Sequence, residues 1–307
     1  MINQTTCSYI EEFIENINNI DQIASQLSQG VYSATFSHLK LPNIDVVRSK
    51  TSQKVLYQGV IDKEFYYVSI PDPNCNIKVN GYQMKFDNLY ISAPGEELTA
   101  VCEPGFSGYH LTINSNLLKR AIGEEHFGTI IPKIPSIREI TFPETIGFVE
   151  SIVFMLNNAF YFNGNLSPVS LLDLEDNIYQ QFIFLFNDKT HELANIRPSY
   201  NKRLAIVRRA ADYILSTKNY YISIDDLSSK SFCSRRTLEY SFMEILGISP
   251  KRYTQLLRIH NIRYDLFSDS NSHVNEILRR HGVVNNGRFS QLYKRFFHEY
   301  PKETKRK

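Results

Sequence analysis

Two segments near the C-terminal end of the chain, 223–246 and 273–297, repeat one pattern, and that pattern restricts the fold more than any other feature. The first runs Ile224-Asp225-Asp226-Leu227, turns around Phe232-Cys233, and continues as Ser234-Arg235-Arg236-Thr237-Leu238-Glu239-Tyr240. The second runs Val274-Asn275-Glu276-Ile277-Leu278-Arg279-Arg280-His281-Gly282, then Gly287-Arg288-Phe289-Ser290-Gln291-Leu292-Tyr293-Lys294-Arg295-Phe296-Phe297. Each reads as two helices joined by a tight turn. Ser223 and Ser234 stand where a serine oxygen satisfies a free backbone N–H at a helix start, and Asn285 or Asn286 can do the same for the last helix. Gly282 supplies the conformational freedom that the second turn needs. In the first unit Ile224, Leu227, Leu238, Phe242, Ile245 and Leu246 make a small core; in the second, Phe289, Leu292, Tyr293 and Phe296 point inward. A lead helix over 203–216, with Leu204, Val207, Ala210, Ala211 and Ile214 inside, precedes them. Ser249-Pro250 starts a helix to about Phe267 that holds the two units rigidly together.

Charge gives these units a partner. The chain carries a formal net charge of +2, but residues 198–307 hold 21 Lys+Arg against 10 Asp+Glu, or +11, and the rest holds 13 against 22, or −9. Such asymmetry indicates nucleic-acid contact by the basic part. A second helix with an arginine-rich start and an apolar inner face is the element that enters a major groove, and two of them about 50 residues apart suit two successive grooves. The candidate DNA-binding residues are Ser234, Arg235, Arg236, Glu239 and Tyr240 in the first unit, and Asn285, Asn286, Arg288, Gln291, Lys294 and Arg295 in the second. Arginine forks match guanine O6 and N7, glutamate accepts from cytosine N4, and glutamine pairs with adenine. Lys294 suits a phosphate contact, and Arg235 and Arg236 also fit phosphate positioning alone. A charged, solvated helix face is the alternative for the second unit's residues Arg288, Gln291, Lys294 and Arg295.

The N-terminal part is patterned differently. Residues 10–29 have apolar positions at helical spacing (Ile10, Phe13, Ile14, Ile17, Ile20, Ile23, Leu27), with Gly30 as a stop, which predicts a helix. From 31 to 113 short strands are expected at 31–39, 54–61, 64–70, 77–79, 83–86, 89–92, 97–102 and 108–113, separated by turn formers. Asn80-Gly81 marks a two-residue hairpin. This spacing suggests a sandwich or small barrel. Helices follow at 115–122, 144–162 and 167–186, the last opened by Ser167-Pro168. Their broad apolar faces suit either packing on the barrel or a homodimer interface. A polar stretch over 188–202, containing Pro198, reads as a linker.

Several functions are disfavoured. No run of 18 apolar residues suggests a membrane span, and the start of the chain lacks a signal-peptide pattern, so a cytoplasmic location is expected. Cys7, Cys75, Cys102 and Cys233 have no metal spacing and read as reduced thiols, with redox sensing by Cys75 or Cys102 as an alternative. His38, His110, His126 and His191 form no His-x-His pair, and no phosphate loop or nucleophile elbow is present. No catalytic residue, metal or cofactor is expected. Phe65, Tyr66, Tyr67, Phe86 and Tyr90 read as core or as the lining of an effector pocket, and Lys54, Lys78 and Lys85 as surface or as partners of an anionic effector.

The C-terminal motifs resemble the AraC/XylS family of bacterial transcription regulators over roughly 203–306. The segment from Arg279 to Phe297, followed by Pro301, is similar to the family's C-terminal signature, and Gly247-Ile248-Ser249-Pro250-Lys251-Arg252-Tyr253 to the start of its linking helix. The chain departs from the pattern at Phe232, where a small residue is usual, at Leu278, where alanine is common, and at Val283-Val284-Asn285-Asn286, unlike the usual aromatic-containing turn. The resemblance implies a seven-helix DNA-binding domain that regulates transcription, most often activating it. The expected mechanism is binding to double-stranded promoter DNA, followed by contact with RNA polymerase or its exclusion. The N-terminal strands, with Asn80-Gly81 followed by Pro94-Gly95-Glu96-Glu97, are similar to the cupin-like sensing domains that some members carry, and that similarity implies either a small-molecule effector in the barrel or none.

The expected fold class is thus α+β and multidomain. A β-rich, cupin-like barrel or sandwich (about 31–113) with helices (115–187) makes a sensing and dimerisation domain over 1–187. A linker (188–202) and an all-α DNA-binding domain (203–307) follow. A ligand-binding module with non-specific DNA affinity, or a cupin-type enzyme, are the rival readings.

Overall fold

The structure is a computed structural model that describes residues 2–10, 12, 18–84, 89–123, 139–140, 143–161, 166–187, 198–217 and 222–305. By its internal contacts the chain divides into two compact units. One comprises 1–23, 33–52 and 57–196; the other comprises 24–32, 53–56 and 197–307.

The β-rich N-terminal part carries strands β1 (Ile2–Cys7), β2 (Ile20–Gln26), β3 (Ala34–Lys40), β4 (Ile44–Thr51), β5 (Val55–Ile61), β6 (Phe65–Pro71), β7 (Ile77–Val79), β8 (Tyr82–Met84), β9 (Leu89–Ser92), β10 (Glu97–Cys102), β11 (Ser107–Asn114) and β12 (Glu139–Ile140). They form a seven-stranded sheet in the order β1-β3-β4-β11-β6-β9-β12 and a five-stranded sheet in the order β2-β5-β10-β7-β8. The hairpin at Asn80-Gly81 is present: both residues have positive φ, at 48° and 91°, and Val79 pairs with Tyr82. Asparagine and glycine tolerate that left-handed geometry, whose twist matches the flanking strands.

Alternation along the larger sheet sorts its two faces. Ile44 and Val46, Tyr66, Val68 and Ile70, and Tyr109, Leu111 and Ile113 pack with helices α1 (Ser115–Ile122), α2 (Pro143–Tyr161) and α3 (Pro168–Asn187). Leu118, Phe148, Val149, Ile152, Leu156, Ile178 and Phe182 are the helical side of this core. The intervening residues Ser49, Tyr67 and His110 face a cavity of about 20 Å³ shared with Gln22, Tyr57, Leu98 and Cys102. Tyr66 and Tyr90 are buried as core, whereas Lys54 and Lys78 are half-buried and line no part of that cavity.

Two expectations are corrected. Residues 20–26, expected as helix, are the strand β2. Its Ile20 and Ile23 lie three apart and imitate a helical stripe, but β2 is hydrogen-bonded to β5, and this pairing prevails over local spacing. Gly59 of β5 permits the approach, since a Cβ there would stand 2.4 Å from the Asp21 carbonyl oxygen. Second, β4 was absent from the expected strands although it lies between β3 and β11. Its charged members obscure the apolar alternation; Arg48 pairs with Asp72 at 2.6 Å and lies 4.4 Å from the Tyr109 ring. β1 and β12 also went unanticipated. The expected helical residues 13–17, Lys85, Phe86, His126, His191 and linker residues 188–197 lie outside the described residues.

The second unit contains seven helices among the described residues: α4 (Pro198–Thr217), α5 (Ile224–Lys230), α6 (Arg235–Ile245), α7 (Pro250–Ser268), α8 (Val274–Arg280), α9 (Asn286–Phe297) and α10 (Pro301–Thr304). α4 begins at Pro198, inside the stretch expected as linker, because a proline is well tolerated in the first turn of a helix. Leu204, Val207, Ala210, Ala211 and Ile214 are buried, as their spacing predicts. None of the four cysteines forms a disulfide, and Cys7 and Cys102 are buried. Burial raises the Cys102 thiol well above its ordinary pKa, which suits an inert core residue rather than a reactive one.

Candidate nucleic-acid interface

Two copies of one local structure make up the candidate site. In the first, the Ser223 side chain accepts from Asp226 N at the start of α5, and the helix closes with Ser231 N donating to Leu227 O. Phe232 then takes a left-handed φ of 55°, and Cys233 N donates to Ser228 O at 3.0 Å. In the second, Gly282 takes φ 68°, and Val283 N donates to Leu278 O at 2.9 Å. An arginine from the preceding long helix braces each turn. Arg209 of α4 donates to Ser231 O at 3.0 Å, and Arg258 of α7 to His281 O at 3.0 Å. Phe232, flagged as a departure, therefore performs the backbone role that Gly282 performs, at the conformational cost a side chain imposes there.

The second helix of each unit is capped as predicted. Ser234 Oγ accepts from Thr237 N at 3.2 Å, and Asn285 Oδ1 from Arg288 N at 2.9 Å. Asn286 is the first helical residue instead, and donates to Asn275 Oδ1 at 3.1 Å. Each helix ends in a left-handed residue, Gly247 at 71° and His298 at 59°. The inner faces are closed. Leu238, Phe242 and Ile245 of α6 are buried, as are Phe289, Tyr293, Phe296 and Phe297 of α9. The expected core residues Ile224 and Leu292 are half-buried.

The outer faces hold the sequence-predicted residues. Arg235, Arg236, Glu239 and Tyr240 are exposed on α6. They pair one turn apart: Arg235 Nε lies 3.5 Å from Glu239 Oε1, and the Arg236 guanidinium lies 5.4 Å from the Tyr240 ring centroid. On α9, Asn286, Arg288, Gln291, Lys294 and Arg295 are exposed. Lys294 Nζ is 3.3 Å from the Tyr300 hydroxyl and 4.3 Å from its ring centroid, so its ammonium leans toward α10. Exposed polar faces on rigid helices can donate to base edges and phosphates.

Buried polar groups hold this scaffold. Arg263, almost wholly buried, pairs with Glu299 at 3.3 Å and lies 4.0 Å from the Phe297 ring centroid. His281 Nε2 is 2.7 Å from Asp265 Oδ2. His260 Nε2 is 2.9 Å from Gln26 O, and burial, aided by the Arg263 charge, brings its pKa down to about 4. An open concavity of about 700 Å³ is lined by residues including His273, Asn275, Asn286, Ser290, Tyr300 and Lys302. The sequence reading missed this concavity, and also the exposure of Phe232 and Val284 on the turns. Apolar identity alone gave no sign that these two would face water.

In the N-terminal unit, the buried His110 is hydrogen-bonded through both ring nitrogens. His110 lies 2.8 Å from Ser49 Oγ and 2.6 Å from the Tyr67 hydroxyl, and burial lowers its pKa to about 4. Among the described residues no group of three His, Cys, Asp or Glu side chains can hold a metal ion, and no helix is long and apolar enough to cross a membrane.

Paired helices with a braced turn, repeated twice, define a helix-turn-helix DNA-binding domain. Residues 227–307 match the family described as "Helix-turn-helix domain". A "Probable thc operon regulatory protein" of Rhodococcus erythropolis is 31% identical over 103 residues, which is 33% of this chain and 31% of that protein. The chain thus matches about a third of that relative's length. Two solved structures are distantly similar. The "AraC-like transcriptional activator CuxR" has TM-score 0.45 and 11% identity, over 86% of this chain and 96% of that one. ToxT from Vibrio cholerae has TM-score 0.30 and 10% identity, over 93% and 97%.

Proposed function

We propose that this chain is a sequence-specific transcription regulator, acting in the cytoplasm on double-stranded promoter DNA. The observation that carries the reading is the repeat itself: two helix-turn-helix units, each with an outward polar helix, on a segment whose charge is +11 over 198–307. α6 and α9 enter adjacent major grooves. Ser234 and Asn285, by capping these helices, present Arg235, Arg236 and Arg288 at their starts. The arginines fork onto guanine, Glu239 accepts from cytosine, and Gln291 pairs with adenine, while Lys294 and Arg295 hold phosphates. The bound protein then contacts RNA polymerase and activates transcription.

The first unit supplies assembly. α2 and α3 bury one side against the larger sheet and leave Phe154, Tyr161, Val169 and Leu172 exposed. A second copy covering these residues raises the effective concentration at paired half-sites. Light scattering at micromolar protein should give a dimer mass; a monomer both with and without DNA would count against it. The inter-sheet cavity, at about 20 Å³, is an order of magnitude below the several hundred Å³ of ordinary ligand pockets. A small-molecule effector fits there only if the sheets part.

The test is retention of genomic DNA fragments by the purified full chain at near-physiological salt, followed by sequencing. Regulation predicts enrichment of a few upstream regions sharing a motif. Uniform retention that fades steeply with salt would leave only backbone affinity.

A further inference from the structure

The two helix-turn-helix units differ by one residue, and the difference falls beside α9. Leu227 and Ile277, or Phe232 and Gly282, stand 50 positions apart (277 − 227; 282 − 232), whereas the caps Ser234 and Asn285, and Pro250 and Pro301, stand 51 apart (285 − 234; 301 − 250). Cys233 and Val283 occupy the same place, since their N–H groups bond to Ser228 O and Leu278 O. The added residue is therefore Val284, immediately before the α9 cap. An apolar residue at that position ordinarily folds back onto the helix residue five positions on and staples the entry. Here that residue is Phe289, which is 8% exposed, while Val284 is 96% exposed and staples nothing.

Val284 and Phe232, at 96% and 83%, are the two most exposed large hydrophobic residues among those described, and each sits on the turn leading into an outward helix. Phe232 keeps a bulky ring in the left-handed region, where Gly282 stands in the other unit; the Arg209 guanidinium is 5.8 Å from its centroid. Each turn is followed at once by the exposed arginines Arg235 and Arg236, or Arg288. Exposed apolar groups beside cations suit a surface that is polyanionic yet carries apolar points. The thymine C5-methyl is that apolar point in the major groove.

We propose that Val284 packs on a thymine methyl at the edge of the α9 footprint, and that Phe232 does the same beside α6, so that both turns add to sequence preference. The inference rests on the DNA-binding reading above, and its test separates the two. Duplexes are first selected from a randomised pool by the full chain, and each thymine of the winning site is then replaced by deoxyuridine, which removes the methyl alone. One replacement should weaken the wild type about fourfold, the worth of one buried methyl-sized group, and should leave Val284→Ser unchanged. A second thymine should show the same coupling with Phe232→Gly. Val284 is solvated, so V284S should keep wild-type helicity and melting. Overturning results are a site indifferent to every methyl, or uridine effects of equal size in wild type and variants. A pool that yields no enriched sequence would instead defeat the DNA-binding reading itself, and this inference with it.

Discussion

Arg288 separates base reading from mere phosphate holding. It is exposed at the start of α9, and its own backbone N–H is tied to Asn285. Arg288→Ala should cost about 1–3 kcal/mol on the selected site and relax preference at one base pair, measured by competition binding. An equal loss on every sequence would make it a phosphate contact. Phe232 carries a prediction on stability. Its left-handed backbone costs on the order of 1 kcal/mol, and Phe232→Gly should recover a few tenths to 1 kcal/mol in urea unfolding, against glycine's extra freedom in the unfolded chain. A lower stability would mean that the Arg209 contact outweighs the strain. At this scale the capping serine and asparagine were legible because a cap bonds only three residues ahead. The extrusion of Val284 was not, since whether a valine staples or faces water depends on the length of a turn measured against its repeat.

The outward helices depend on their caps. Ser234→Ala and Asn285→Ala should each cost about 1 kcal/mol and raise amide exchange in the first turn of α6 or α9 respectively. Unchanged protection there would show that packing alone fixes these helix starts. Helices α4 to α9 were readable because their apolar stripes are local signals, and the caps Ser223, Ser234, Ser249 and Asn285 mark the starts of four of them. The sheets were readable in part. β7, β9 and β10 follow their apolar runs, but β2 resembled a helix and β4 was not anticipated. In both, partners distant in sequence decide the outcome: Gly59 makes room for β2, and Asp72 and Tyr109 accommodate Arg48 of β4. The outward residues of α6 and α9 were legible as a set, because a helix whose inner face is known has its outer face fixed by the 3.6-residue period.

At the scale of the whole molecule, a basic C-terminal segment follows an acidic remainder, and among the described residues each unit holds one buried histidine, His110 and His260. Burial keeps His110 and His260 at about 4, against 6.5 for an unburied histidine. The unfolded chain therefore takes up protons first as pH falls. The stability that these groups contribute is complete above about 6.5 and is lost between 6.5 and 4, on the order of 2–3 kcal/mol each. Urea midpoints should fall over that window, and His260→Gln should flatten part of the fall; a variant with the wild-type slope would assign the loss elsewhere.

In the proposed function, two reading helices grip successive grooves. Hydroxyl-radical footprinting of the selected duplex by the full chain tests it most directly. Two protected patches about 10 base pairs apart on one face are predicted, one fading in Arg236→Ala and the other in Arg288→Ala. A single patch, or one unbroken tract that both substitutions weaken alike, would contradict it.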